Sequence, residues 1–575
     1  MQKARKVTGR EFARYFLRCK PPAGWGKRIG VAYSGGVDST CLLFLLKRFL
    51  QKSSDPTLRS LPILAIHVDH NLRPASHKDA EHCKDWAQKH SIPIKVETVA
   101  WGNHPFPSHT QPGFNSKKEL YARNARYRAI FDVMKANDVD VLLMAHHLDD
   151  QLETAIMRRN RSQLGKAGKR QVTPIGLAGM RHCRRWGMGD PWSGIYGLEG
   201  MSRWICRPLL NITKKRLVQT AQDERLEFVQ DETNEDHRMT ERNRIRALLT
   251  TGERNFGLVR AQNPLRPPPD PLQPSSTSLY NFVQEYNALR DDVDHAVEEY
   301  LLNHTGDSPV GTYHLITSNG LPPPLVVRHA VVLRILRYVS PFPWGSPDAE
   351  AHRQLASLTQ ITNALWPYET QAELDRFLQL DLAKTRRRFA AGGLVLWQPT
   401  PTLGIPITQR TSQIVAKNSA LVPSRTSFGW LAQRQPPYNR KYRDHSPNEI
   451  TIDITAQLFS RKPFRIVWDL RWLLEFPEGA IDSLCKDRFK KAEYREIPPT
   501  GEHLRYLITP ANQWWQPAVV LADLCYGGEK KTDLQEYSRE AKWRPTAKNV
   551  HLALPSVTRP HPGVKMTFIR TIDVI

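Results

Sequence analysis

The sequence predicts an α/β chain: a doubly wound parallel sheet first, a mainly helical region next, and a mixed α/β region last. Three observations carry this expectation. Apolar strand-like runs alternate with amphipathic helical runs over residues 29–145. A proline-rich stretch, Asn263-Pro-Leu-Arg-Pro-Pro-Pro-Asp-Pro-Leu-Gln-Pro274, then interrupts the chain. Beyond it the apolar period becomes helical, and later gives way to short strand-like runs among prolines.

Ile29–Tyr33 reads as a buried strand, with a helix following from Thr40. Ile63–Val68, Ile94–Val99 and Val139–Met144 read as further strands, and Asp79–His90 and Glu119–Asn137 as helices. Such β-α repetition places ligands at the carboxyl ends of parallel strands. Residues 158–186 hold nine Arg or Lys and no acid, which predicts a solvent-facing insertion. The proline-rich stretch cannot continue a helix and reads as a stiff linker. After it Tyr280, Val283, Tyr286, Leu289, Val293, Val297 and Tyr300 recur at helical spacing, the pattern of a core stripe. The expected organisation is a nucleotide-activating domain at 1–262, a linker at 263–276, a helical domain at 277–390 and a basic α/β region at 391–575.

The chain has 575 residues, which suggests roughly two to four domains. Its longest apolar stretch, Cys41 to Leu50, is broken by Lys47 and Arg48, so no membrane span is expected. The net charge is +25. A surplus of that size favours a polyanion partner, because Lys and Arg release counterions from phosphates. Seven cysteines are scattered without a CxxC pair. That argues against a disulfide framework or structural zinc and for a reducing compartment, cytoplasmic or mitochondrial. Seven basic residues and one acid, Glu11, fill the first 20 positions. They fit either a mitochondrial presequence or, given Phe12, Tyr15 and Phe16, an ordinary first helix.

The chemistry centres on Ser34-Gly35-Gly36-Val37-Asp38-Ser39, set between a strand and a helix. Glycines permit close approach of backbone to ligand, and free amides at a helix start attract phosphate. Ser34 and Ser39 add hydroxyls. Asp38 would be misplaced beside bare phosphate and reads as a magnesium-side or ligand-orienting carboxylate. The spacing is not that of a Walker loop. Two glycines with a capping serine could also be a plain turn, but the full hexapeptide in this context is more specific.

His146, His147, Asp149 and Asp150 follow a strand end, where site residues of such sheets gather; one aspartate should cap the next helix. Asp149, Asp150 and Glu153 could hold Mg²⁺ or orient an ammonium group. Arg123 and Arg126 lie three apart, on one helix face, and suit phosphate or carboxylate. His67, Asp69 and His70 alternate at a strand end without a clear fourth zinc partner. Asp69 or His70 is expected to line the site. Lys384–Arg388, Arg440-Lys441 and Lys486–Lys491, with Trp397, Trp430, Trp514 and Trp515, could grip RNA, although each tryptophan taken singly reads as core.

The hexapeptide resembles the pyrophosphatase loop of the N-type ATP pyrophosphatases. Further segments resemble one branch, the tRNA(Ile)-lysidine synthase family. These are His67-Val-Asp-His-Asn-Leu-Arg73, Glu119-Leu-Tyr-Ala-Arg-Asn-Ala-Arg-Tyr127, Ala145-His-His-Leu-Asp-Asp-Gln-Leu-Glu-Thr154, Gly176-Leu-Ala-Gly-Met180, Arg207-Pro-Leu-Leu210, Asp231-Glu-Thr-Asn234 and Arg242-Asn243 with Arg246. They occur in the family's order over residues 25–250. Residues 104–113, 158–170 and 182–204 depart from its pattern.

The resemblance implies ATP with Mg²⁺, free L-lysine, and an isoleucine tRNA carrying a wobble cytidine. It implies adenylation of the base's 2-oxo group, then lysine attack with loss of AMP. It places Asp38, Asp149, Asp150 and Arg123 in catalysis, residues 34–39 on ATP and Asp38 on magnesium. Arg126, His146, Gln151, Glu153, Asp231, Asn234, Arg242, Asn243 and Arg246 fall on the substrate. Three rivals stand beside it. A thiolase on the same fold would commonly use paired cysteines, absent here. A small-molecule amide ligase has no use for +25, and a non-catalytic RNA binder has no use for the loop.

Overall fold

The computed structural model describes residues 4–73, 76–103, 106–108, 110–164, 174–188, 197–229, 241–250, 264–266, 279–345, 349, 354–380, 386–402, 427–435, 451–486, 504–511, 515–523, 550–553 and 561–573. The N-terminal unit runs α1 (Gly9–Arg18), β1 (Ile29–Ala32), α2 (Val37–Lys52), α3 (Pro56–Arg59), β2 (Ile63–Asp69), α4 (Ser76–Lys89), β3 (Ile94–Thr98), α5 (Lys118–Ala136), β4 (Val141–Leu143), α6 (Leu148–Leu164), β5 (Cys183–Arg185), α7 (Gly197–Ser202), β6 (Trp204–Cys206), α8 (Lys214–Asp223) and α9 (Glu241–Thr250). The strand order is β3-β2-β1-β4-β6-β5. All neighbours pair in parallel except β5 with β6.

Helices cover both faces, so the strands are apolar on both sides; Ile29, Val31, Val141, Leu142 and Leu143 are all fully buried. β1 lies between β2 and β4, with Val31 opposite Ala65 on one side and Leu143 on the other. Connections leave this point in opposite directions, which opens a crevice at the carboxyl ends of β1 and β4. The helix after β1 begins at Val37, earlier than expected, because Gly36 serves as its N-cap.

α1 belongs to this core. Thr8 caps it by accepting from Glu11 N at 3.3 Å, Phe12 and Phe16 are fully buried, and Phe16 stacks on Trp25 at 4.1 Å. The ordinary-helix reading of the N-terminus therefore holds.

The basic stretch 158–186 is not a solvent-facing insertion over its described residues. α6 continues through Leu164, Pro174–Ala178 forms a 3-10 turn, and Cys183–Arg185 enters the sheet. The charges are spent on the fold: Arg158 Nη1 donates to Gly176 O and Gly179 O at 2.7 and 2.9 Å, and Arg181 pairs with Asp294.

Of the proline-rich linker only Pro264–Arg266 falls among the described residues, and Arg266 is ion-paired to Asp292. The second unit opens with α10 (Leu279–His304), β7 (Thr305–Gly306), β8 (Tyr313–Ile316), α11 (Leu325–Val339), α12 (Leu355–Leu365) and α13 (Gln371–Gln379). β9 (Phe389–Ala390), β10 (Val395–Thr402) and β11 (Ser427–Arg434) complete a sheet of order β7-β8-β11-β10-β9. That sheet crosses residue 390, since β8 pairs with β11. Val283, Tyr286, Leu289, Val293 and Val297 are buried, as a core stripe requires.

Two further sheets follow. One is β12 (Ile452–Asp453), β15 (Leu504–Pro510), β16 (Pro517–Asp523) and β17 (Val550–Ala553). The other is β13 (Phe464–Trp468), β14 (Trp472–Phe476) and β18 (Lys565–Phe568). Trp397, Trp430 and Trp515 are buried, so they pack the fold and offer no stacking surface; Trp514, Arg440, Lys441 and residues 487–491 lie outside the described residues.

Candidate active site

The loop after β1 is shaped by its glycines and closed by its serines. Gly35 has φ +80°, and a Cβ there would lie 2.8 Å from Cys83 Sγ. Its carbonyl accepts from Thr40 Oγ1 at 3.2 Å and Val229 N at 2.9 Å. A Cβ on Gly36 would meet only Ser34 Oγ, at 3.7 Å. Ser39 Oγ accepts from Ser34 N at 3.2 Å and donates to Gly36 O at 3.0 Å. The first intrahelical bond runs from Thr40 N to Gly36 O. The amides of Val37, Asp38 and Ser39 therefore precede the helical ladder at its positive end.

The loop after β4 faces it. Asp150 is the capping aspartate, accepting from His147 N at 2.9 Å. Asp149 is held differently: it accepts from Lys214 N at 2.7 Å and from Tyr280 Oη at 2.8 Å. Lys214 Nζ donates to Asp38 Oδ2 at 2.5 Å. Buried His147 lies 3.8 Å from Asp38, 3.5 Å from Asp149 and 3.5 Å from Asp150. Burial opposes charging this imidazole, but the three carboxylates outweigh it and raise its pKa. Burial likewise opposes ionisation of Asp149, yet His147, the Lys214 amide and Tyr280 pull it down to about 2.

Asp150 and Glu153, three apart on α6, present one face to Arg242 and Arg246, four apart on α9. Arg242 bonds Asp150 at 2.7 Å and Glu153 at 2.5 Å, and Arg246 bonds Glu153 at 2.5 Å. These pairs clamp α9 onto α6, so Glu153, 2% exposed, is already neutralised. Gln151 is fully buried; its Nε2 donates to Met180 O at 2.9 Å and its Oε1 accepts from Met180 N at 2.5 Å. It therefore shapes the Gly179-Met180 turn. Asn243 is buried beside the clamp, whereas Asp231 and Asn234 lie outside the described residues.

A second group is electropositive. Arg207, nearly fully buried, donates from Nε to His146 Nδ1 at 3.3 Å and from Nη1 to Arg181 O at 3.1 Å. Burial, then the neighbouring Arg207, pushes His146 down to about 3, so it stays neutral. The Arg123 guanidinium lies 5.5 Å over the Tyr127 ring, and Arg126 donates to His70 Nε2 at 3.1 Å. Burial would raise the Tyr127 phenol, but Arg184, Arg207, Arg123 and Arg126 together lower it to about 8. A site with this excess of guanidinium charge stabilises phosphate or developing oxyanion.

Asp69 Oδ1 accepts from Asn71 N at 2.8 Å and His67 Nδ1 meets Tyr33 O at 3.0 Å, so this strand end is structural except at His70. Among the described residues no group of three His, Cys, Asp or Glu could hold a metal. Magnesium needs less from protein, commonly one or two carboxylates plus substrate phosphates. Asp38 Oδ1 is buried without a hydrogen-bond partner, and fits that role. Lys214 and Tyr280 do not read as site residues in the sequence, and His147 reads only as one of the strand-end group, with no role of its own. Nothing marks Lys214 among 82 basic residues, and Tyr280 carries the signal of a core stripe.

Residues 11–252 match the PP-loop domain family, and together with the parallel sheet and its loop this makes the N-terminal unit a PP-loop domain. Within that class the chain is 35% identical to the tRNA(Ile)-lysidine synthase of Haemophilus influenzae over 208 residues, 36% of this chain and 40% of that protein. It is 36% identical to the tRNA(Ile)-lysidine synthase of Pseudomonas aeruginosa over 218 residues, 38% of this chain and 39% of that one. The match thus spans about two fifths of the length of these curated relatives. Among solved structures, the U34-tRNA thiolase NcsA of Methanococcus maripaludis aligns with a TM-score of 0.32 and 14% identity over 49% of this chain and 78% of that one. Among the described residues no helix is long and apolar enough to cross a membrane.

Proposed function

We propose that this chain is a tRNA(Ile)-lysidine synthase. ATP adenylates the 2-oxo group of a wobble cytidine, releasing pyrophosphate; the ε-amine of free lysine then bonds to C2 and AMP leaves. The observation that carries this is the meeting of two loops at the switch point. There Asp38, from the phosphate loop, lies 2.5 Å from Lys214 and 3.8 Å from His147, and Lys214 and His147 both contact Asp149.

The amides at the start of α2, with Ser34 and Ser39, would bind the departing pyrophosphate. Asp38 would hold magnesium, which when bound offsets triphosphate charge. Arg123 and Arg126, with Arg207, would face the phosphate of the adenylated base, where negative charge develops.

Lysine must lose a proton before it attacks. Asp150 and Glu153 are committed to Arg242 and Arg246. His147, whose proton affinity its carboxylates raise, is the group we assign to accept that proton, with Asp149 orienting it. We infer a reducing compartment, since Cys19, Cys41, Cys83, Cys183 and Cys206 are free and buried. We also propose that residues 277–390 and 391–575 hold the tRNA body. Mass spectrometry of an isoleucine tRNA incubated with protein, ATP and lysine should show one lysine added at the wobble cytidine. An unchanged tRNA, or sulfur incorporation from a sulfur donor, would overturn the reading.

A further inference from the structure

Outside the catalytic crevice, residues 5–14 and Arg216 enclose an open pocket of about 440 Å³ lined by Arg5, Thr8, Arg10, Glu11, Arg14 and Arg216. Its walls are fixed. Val7 N donates to Thr220 Oγ1 at 2.9 Å, and Arg216 Nε donates to Arg5 O at 2.9 Å. Arg216 also grips Glu11 with both ends of its fork, at 2.6 Å each. The hydrogen bond from Arg216 is the largest of the effects that lower the Glu11 pKa, so the pocket's one acid is already neutralised.

Three exposed arginines are left over. Arg5, Arg10 and Arg14 have no ion-pair partner among the described residues; Arg14 touches the Tyr15 hydroxyl and ring and adds a little to the field on Glu11, which Arg216 already holds. Helix electrostatics opposes their placement. Arg10 sits in the first turn of α1, at the positive end of the dipole, where acids are favoured. Arg10 and Arg14 are four apart, like charges on one helix face. A fold that holds three uncompensated guanidiniums around a rigid hollow is arranged for an anion.

We propose that this pocket binds the phosphate backbone of the tRNA, away from the reacting base. The proposal rests on the tRNA reading above. α8 gives the connection: Lys214 at its start contacts Asp38 and Asp149, while Arg216, two residues on and about 200° around the helix, faces the pocket. One rigid helix thus sets the spacing between the backbone grip and the chemistry.

The test compares the full chain with R5Q/R10Q/R14Q and with R5K/R10K/R14K. It reads affinity for an isoleucine tRNA at two salt concentrations, ATP affinity and Tm. The glutamine variant should bind tRNA at least about tenfold more weakly, with a log-log salt slope smaller by about two to three units. Its ATP affinity and Tm should not move, and the lysine variant should recover most of the binding. Unchanged affinity and slope in the glutamine variant, with the unsubstituted chain binding tRNA normally, overturns the pocket alone. Failure of the lysine variant to recover binding does the same, because the loss is then structural. No tRNA binding by the unsubstituted chain sinks the functional reading and the pocket with it.

Discussion

The ionic cluster at the switch point and the one beneath the C-terminal sheets use the same residue types and are finished differently. Arg471 is fully buried, and each of its nitrogens donates: Nε to Asp469 at 2.7 Å, Nη1 to Val339 O at 3.1 Å and Gly311 O at 3.3 Å, Nη2 to Trp515 O at 3.3 Å. Arg434 takes the other oxygen of Asp469 at 3.0 Å and lies 3.5 Å over the Trp515 ring, while its Nε and Nη1 are buried without hydrogen-bond partners. At the switch point, Asp38 Oδ1 is buried without a hydrogen-bond partner. Both oxygens of Asp469 are taken by arginines, so that carboxylate holds segments together, whereas Asp38 keeps one oxygen open and can receive a cation. Asp150, Glu153, Arg242 and Arg246 form the closed half of the switch-point cluster.

Substitutions can break that comparison, and the largest effect belongs to the phosphate loop. Gly36→Val should abolish ATP binding with little change in Tm, because a Cβ there meets no protein atom closer than Ser34 Oγ at 3.7 Å. Calorimetric titration with ATP decides it, and normal binding would place the nucleotide elsewhere. Asp38→Ala should cut AMP formation on the order of 10³-fold with little change in Tm, as expected when charge stabilisation is removed from a formed site. In the C-terminal cluster the outcome should invert. Arg471→Ala leaves buried Asp469 with Arg434 alone, empties a fully buried site, and should lower stability by about 3–5 kcal/mol with ATP affinity intact; denaturant unfolding checks it.

Asp149 sits between these extremes. Its pKa, about 2 in the fold, lies below the ordinary carboxylate value, so it stabilises fully above about pH 4. That contribution is lost as pH falls from about 4 to 2, and amounts to about 2 kcal/mol. Asp149→Asn should flatten the acid limb of the stability curve by that amount and also slow turnover. The smallest effect is expected for Tyr280→Phe. Losing its bond to Asp149 should cost about 1 kcal/mol, raise the Asp149 pKa and lower turnover less than about tenfold. A loss as large as that of Asp38→Ala would make Tyr280 part of the reaction itself.

The same contact bears on how the units are joined. Val283 on α10 packs with Leu148, Leu152 and Ile156 of α6, next to the aspartates they position. Truncation before α10 would uncover that apolar face and remove Tyr280. The second unit therefore contributes Tyr280 and Val283 to the wall behind the strand-end aspartates.

Sequence alone determined the β-α order over residues 29–145, the loop 34–39 and the strand-end aspartates, because these are local patterns: apolar period, glycine placement and helix start. It also determined that residues 280–300 form a buried stripe. It could not decide what each charged residue is spent on. Arg158 and Arg181 look like solvent-facing charges and instead tie the 174–181 segment to α6 and α10. Gln151 and Glu153, which the sequence resemblance would put on the substrate, are bound to Met180 and to two arginines. Lys214 reaches Asp38 across 176 residues of sequence. A charge's role is set by which opposite charge the fold brings within about 4 Å and by how much water is excluded there, and only the tertiary structure fixes both.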